Sequence, residues 1–84
     1  MNTAFHASFV KRFRKLPPNV RNAFRLRLAL FLSTPFHVLL RNHSVGRVYP
    51  GCRSFNVTGD YRAIYRVEGD TAIFILIGTH ADLY

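Results

Sequence analysis

The sequence predicts an α+β fold in which two antiparallel N-terminal helices pack on a small, mostly antiparallel β-sheet. Three observations carry this. Apolar residues recur at helical spacing early in the chain, a double proline interrupts that period, and the second half holds short runs of β-branched and aromatic residues separated by turn residues. Helices followed by a meander of strands is the order of a layer pair, with helices against one face of a sheet. Residues 1–84 are expected to form one domain, large enough for a single core.

Asn2 to His6 reads as a short leading strand in which Phe5 asks for burial. From Ala7 to Leu16, Phe9, Phe13 and Leu16 fall at i, i+4 and i+7, while Lys11, Arg12, Arg14 and Lys15 take the remaining surface. That is an amphipathic helix. Pro17-Pro18 ends it, because the residue before a proline is biased away from helical dihedrals, and a first-turn proline then opens a second helix. The second helix runs to about Leu32, with Val20, Phe24, Leu28, Phe31 and Leu32 on its apolar stripe, and Ser33-Thr34-Pro35 stops it.

Phe36 to Gly51 reads as a loop with one short strand around Arg47 to Tyr49, bounded by Pro50-Gly51. Cys52 to Val57 alternates like a strand, and Thr58-Gly59 turns into a hairpin made of Tyr61–Val67 and Thr71–Ile77 around Glu68-Gly69-Asp70. Antiparallel pairing sets the start of one strand beside the end of its neighbour. Asp60 and Arg62 are therefore expected to meet the segment Gly78–Tyr84, which carries His80 and Tyr84, at one end of the sheet.

Charge is distributed unevenly. The net charge is +8, yet residues 1–59 hold ten Lys and Arg and no Asp or Glu, because Asp60, Glu68, Asp70 and Asp82 all lie in the hairpin region. Such a chain calls for a polyanion, an acidic protein, or both. Ten of the twelve cations are arginine, which favours planar, bidentate phosphate contacts. The single cysteine, Cys52, excludes an internal disulfide, and no Cys and His cluster has zinc spacing, so a reducing cytoplasm is expected. No secretion signal is recognisable at the N-terminus, and the longest apolar stretch, Leu28–Leu32, is far too short to cross a bilayer.

An ordered set of short strings carries a family resemblance: Asn42-His43, Gly51-Cys52-Arg53-Ser54, Gly59-Asp60-Tyr61-Arg62-Ala63-Ile64-Tyr65 and Ile77-Gly78-Thr79-His80-Ala81-Asp82-Leu83-Tyr84. With the two basic helices, they make the chain similar to RelE/ParE-superfamily toxins of type II toxin–antitoxin systems. It most resembles the YafQ-type branch of messenger RNA endonucleases. The resemblance implies a RelE-like fold, a concave basic site on the sheet, and inhibition by a cognate acidic antitoxin in a hetero-oligomer. It also implies cleavage of mRNA on the ribosome without a metal or other cofactor. His43, Asp60, His80 and Tyr84 match site positions of the YafQ-type branch, and Arg62 matches the phosphate-binding arginine of RelE. Three positions depart from the pattern. Asn56 replaces a histidine and keeps only hydrogen bonding, Gly46 comes one place early with Arg47 after it, and Cys52 replaces an aromatic as a packing change.

The chemistry implied needs a base to take a proton from the 2′-hydroxyl, an acid to protonate the leaving 5′-oxygen, and cations to hold the added charge. His43 and His80 are the candidate pair, with Asp60 either orienting an imidazole or acting as the base. Arg62 would clamp the phosphate, and Tyr84 would stack on a base or position the substrate. Further RNA contacts are assigned to Arg41, Arg47, Arg53, Asn56, Lys11 and Lys15. Each has a plainer reading: His80 as a turn histidine, His43 as a solvated loop side chain, Asp60 as a turn residue, and the helical cations as a solvated face. Arg62 is harder to explain away, because strand alternation puts it with Ile64 and opposite Tyr61, Ala63, Tyr65 and Val67. His6 and His37 have no assigned partner. Two other functions stay open: a non-enzymatic inhibitor of DNA gyrase on the ParE pattern, and an RNA-binding homologue that has lost catalysis. Membrane insertion is a weaker reading, because the core already needs the apolar helix faces.

Overall fold

The computed structural model describes residues 1–84. Strands β1 (Asn2–Phe5), β2 (His43–Ser44), β3 (Arg53–Asn56), β4 (Tyr61–Glu68) and β5 (Thr71–Thr79) form one sheet in the order β1-β5-β4-β3-β2. All neighbours are antiparallel except β1, which runs parallel to β5. Helices α1 (Ala7–Arg14) and α2 (Pro18–Ser33) pack on one face, a 3-10 turn spans Val38–Leu40, and a short helix α3 (His80–Leu83) follows β5 directly. The α+β class, the proline break and the hairpin are as the sequence predicts.

The helix boundaries follow local chemistry. The His6 imidazole accepts the Ser8 amide and caps α1, whereas Pro17 precedes α2 with Pro18 in its first turn. Arg21 bridges the break by donating from Nη1 to the Leu16 carbonyl at 2.8 Å. The core joins Phe9, Val20, Phe24 and Phe31 of the helices to Phe55, Ala63, Tyr65, Ala72, Phe74 and Ile77 of the sheet, with Leu40 and Val57 from the connecting segments. Phe74 is its hub, with the rings of Phe5, Phe9, Phe24, Phe31, Phe55 and Tyr65 all centred within about 6 Å of it.

Strict alternation along β5 would put Phe74 and Ile77 on opposite faces. Both are in the core because Ile64 pairs with Leu76 while Tyr65 pairs with Phe74, which leaves Ile75 as the extra residue of a β-bulge. The Ile75 carbonyl accepts from Ser8 Oγ at 2.7 Å, so the first turn of α1 satisfies it. At the hairpin tip the two-residue turn begins with Gly69 at φ 58°, a conformation that glycine adopts without strain.

Three expectations are corrected. Leu32 lies off the buried stripe, exposed beyond the last core contact of α2 at Phe31. Phe5 is only half-buried, because β1 is an edge strand. The strand expected at Arg47–Tyr49 is a turn instead: Val48 and Tyr49 both donate to the Val45 carbonyl, and His43–Ser44 supplies the strand pairing on β3.

Candidate functional site

Cross-strand register places the polar residues on the sheet face away from α1 and α2. His43 pairs with Ser54 and Ser54 with Ile64, while Asn56 pairs with Arg62 and Arg62 with Gly78. Directly opposed residues share a face. Since Ala63 and Tyr65 point into the helix-side core, His43, Ser54, Asn56 and Arg62 point the other way.

A second apolar cluster, Val45, Cys52, Ile64 and Leu83, covers part of this face and fastens two segments to it. One is the 45–52 loop, closed by Val45 N–H donating to the Cys52 carbonyl at 3.0 Å. The other is α3. Thr79 caps α3, and Asp82 completes a capping box by accepting the Thr79 amide. Its C-terminal end is held by Tyr49, whose hydroxyl donates to the Leu83 carbonyl. The fit against β5 is tight: a Cβ on Gly78 would stand 3.3 Å from Asp82 Cβ and 3.4 Å from Arg12 Nη1.

Between the loop and α3 opens a cleft of about 870 Å³, lined by Arg41, His43, Arg47, Ser54, Asn56, Arg62, His80 and Tyr84 among others, with no Asp or Glu in its walls. His43 Nδ1 lies 2.6 Å from the Arg41 carbonyl. A carbonyl only accepts, so Nδ1 carries the proton and the neutral ring keeps its lone pair on Nε2. The His80 ring packs on Tyr84 at 4.8 Å. Burial raises the Tyr84 phenol pKa above its ordinary value; Tyr49 adds to the rise, and Ser54 and the Arg62 charge oppose it. Ser54 is fully buried, and its hydroxyl makes no well-formed hydrogen bond, so it acts on that phenol as a looser polar neighbour.

The cleft therefore gathers His43, Arg62, His80, Tyr84, Arg41, Arg47 and Asn56 of the sequence-predicted residues. Four others stand outside it. Asp60 takes part through its main chain, accepting the His80 amide at 3.1 Å, while its exposed carboxylate makes no hydrogen bond or ion pair. Its predicted role beside an imidazole has no counterpart in this geometry, because the turn before β4 keeps it in solvent. Arg53 lies on the opposite face of β3, bonded to Asn42 and stacked over Phe36. Lys11 and Lys15 belong to the helix side. Arg62 is partly committed, since its Nη1 donates to the Thr58, Gly59 and Tyr61 carbonyls at 3.1–3.2 Å. The other guanidinium N–H groups hold no protein acceptor. Sequence reasoning missed Ser54 and the clamp by Tyr49. The alternation of β3 put Ser54 on the face of Asn56 and could have found it; nothing local marks Tyr49.

The sequence profile described as "ParE toxin of type II toxin-antitoxin system, parDE" matches residues 4–84. The chain belongs to this toxin family. No curated protein sequence matches it. Among solved structures it is similar to YafQ from Escherichia coli BL21(DE3), with 20% identity, 99% of this chain and 97% of that one covered, and a TM-score of 0.83. YafQ in the E. coli DinJ–YafQ complex gives 22% identity, 99% and 97% coverage, and a TM-score of 0.72. The RelB–RelE antitoxin–toxin complex from Methanococcus jannaschii gives 22%, 96% and 94%, and 0.75. At these identities the likeness establishes the fold of this toxin, and the RelE-like architecture inferred from sequence is the one observed. No helix is long and apolar enough to cross a membrane.

Proposed function

We propose that this toxin is an endoribonuclease that cleaves mRNA on the ribosome by side-chain acid–base chemistry. One observation carries the reading: two imidazoles, three arginines and a phenol converge in a cleft lined by no Asp or Glu side chain. Such a site attracts a phosphodiester and can move its protons. His43, with Nε2 unprotonated, is the base that takes the 2′-hydroxyl proton. The 2′-oxygen attacks the adjacent phosphorus, the bond to the 5′-oxygen breaks, and His80 protonates that oxygen. The products are a 2′,3′-cyclic phosphate and a 5′-hydroxyl. The free N–H groups of Arg62 hold the charge on the phosphoryl oxygens, helped by Arg41 and Arg47 at the other wall. Tyr84, protonated through the neutral range, donates a hydrogen bond or stacks on a base.

The helix side fits an inhibitor rather than the substrate. Lys11, Arg12, Arg14 and Lys15 lie within a stretch of 59 residues without an acid, and an acidic cognate antitoxin would relieve their repulsion. Solved relatives carry antitoxins named DinJ and RelB, which supports such a partner here.

The profile match to ParE favours a second reading, a non-enzymatic gyrase inhibitor. Expression strains separate the two. The nuclease reading expects His80→Ala and Arg62→Ala to relieve growth arrest and expects translation to stop first. Gyrase inhibition expects DNA breaks and an unchanged arrest in folded variants of both.

A further inference from the structure

Arg41 is the one non-glycine residue with a positive φ, at φ 47° and ψ 44°, and it sits at the end of the Val38–Leu40 turn beside the cleft. Left-handed backbone is strained for a residue with a Cβ, so the surrounding structure must hold it. The holder is the next residue. Asn42 Oδ1 accepts from Arg53 Nε at 2.9 Å and from the buried Tyr65 hydroxyl at 2.9 Å, and its Nδ2 donates to the Pro35 carbonyl at 2.9 Å. Arginine only donates, which fixes the orientation of the amide. Arg53 Nη2 also reaches the Asn42 carbonyl at 3.4 Å. Asn42 thus ties β3, β4 and the segment before the 3-10 turn together on the far side of the sheet from the cleft.

The peptide unit between Arg41 and Asn42 is consequently anchored from its C-terminal side. Its carbonyl is the one that His43 Nδ1 binds at 2.6 Å. We infer that Asn42 is a positioning residue: by fixing the 41–42 peptide, it keeps His43 in the Nδ1-protonated tautomer, with Nε2 as the free acceptor. The catalytic consequence rests on the nuclease reading; the tautomer does not.

The test is ¹⁵N NMR of the histidine rings at a pH where they are neutral, in the parent and in Asn42→Ala. The parent is expected to give the His43 Nε2 signal in the region of unprotonated nitrogen and Nδ1 in that of protonated nitrogen. Folded Asn42→Ala is expected to show a mixture of both tautomers at His43 while His80 is unchanged. Asn42→Asp keeps both contacts to Oδ1 but sets an oxygen against the Pro35 carbonyl, so it is expected to give a smaller share of the second tautomer than Asn42→Ala. A parent His43 protonated at Nε2, or an unchanged signature in Asn42→Ala, overturns the inference. Where Asn42→Ala does not fold, Tyr65→Phe and Arg53→Leu each remove one donor. At least one must then mix the tautomers, and no change in either overturns the inference. Single-turnover cleavage should fall roughly ten- to a hundredfold in Asn42→Ala, because misplacing a catalytic group has that cost. A mixed tautomer in a protein whose parent never cleaves RNA would sink the nuclease reading and leave the positioning role standing.

Discussion

His43 Nδ1 binds the carbonyl oxygen of Arg41 at 2.6 Å, and Arg41 is in the left-handed conformation. One side of the cleft is therefore built on a backbone geometry that disfavours the side chain it carries.

Arg41→Gly should act in opposite directions on stability and binding. Removing the Cβ relieves about 1 kcal/mol of backbone strain, which for a domain of this size raises Tm by roughly 4–8 °C. The same change removes a cation from the cleft wall and should weaken RNA binding. Thermal unfolding and binding titrations on one preparation check both signs.

Binding of RNA or ribosomes should weaken steeply with salt, because the cleft carries three arginines and no Asp or Glu side chain. Arg47→Ala, whose exposed guanidinium has no protein acceptor, should lower the salt slope by roughly one phosphate contact. An affinity that stays flat between low and moderate salt would remove the electrostatic part of the account.

The capping box gives α3 an acid-sensitive hold. Hydrogen bonds from Thr79 keep the Asp82 carboxyl below the ordinary aspartate range, with Arg12 assisting. Because the folded pKa is depressed, this contribution is complete above the unfolded value and is lost as pH falls through the folded one. The Tyr84 and His80 NMR signals should therefore shift in strong acid before global unfolding. Asp82→Ala should show the shifted signals already at neutral pH.

Gly78→Val should loosen the site without removing any cleft residue. Its branches would meet Asp82 and the Arg12 guanidinium, where even a Cβ is tight. Overpacking of this kind costs roughly 1–3 kcal/mol. Denaturant unfolding should register that loss, together with a weaker nuclear Overhauser contact between the Tyr49 and Tyr84 rings, which pack edge-on at 6.0 Å between the loop and α3.

Much of this was legible in the residues themselves. Helical spacing and Pro17-Pro18 located α1 and α2, and β-branched runs located the hairpin whose two ends bring Arg62 to His80. Local pattern stopped where long-range pairing decided. The bulge at Ile75 exists because Phe74 and Ile77 both enter the helix-side core, and β2 forms at His43–Ser44 because Arg53–Ser54 offers it an edge. Neither constraint is visible within a short window. The short helix α3 is written as Thr79 and Asp82 three residues apart, a capping signal overshadowed by the strand before it. Arg53 was misplaced for a related reason: charge type marks a phosphate ligand, but strand parity sends this side chain to Asn42.

The proposed RNA cleavage runs through His80 and its neighbours in the cleft. Primer extension on a defined mRNA, incubated with purified protein and EDTA in the presence and absence of programmed ribosomes, maps each cut to the nucleotide. New 5′ ends are expected that require the ribosome and fall by a factor of roughly 10²–10⁴ in rate with His80→Ala. Undiminished cutting by His80→Ala, or no cutting by folded, antitoxin-free parent protein, would contradict it.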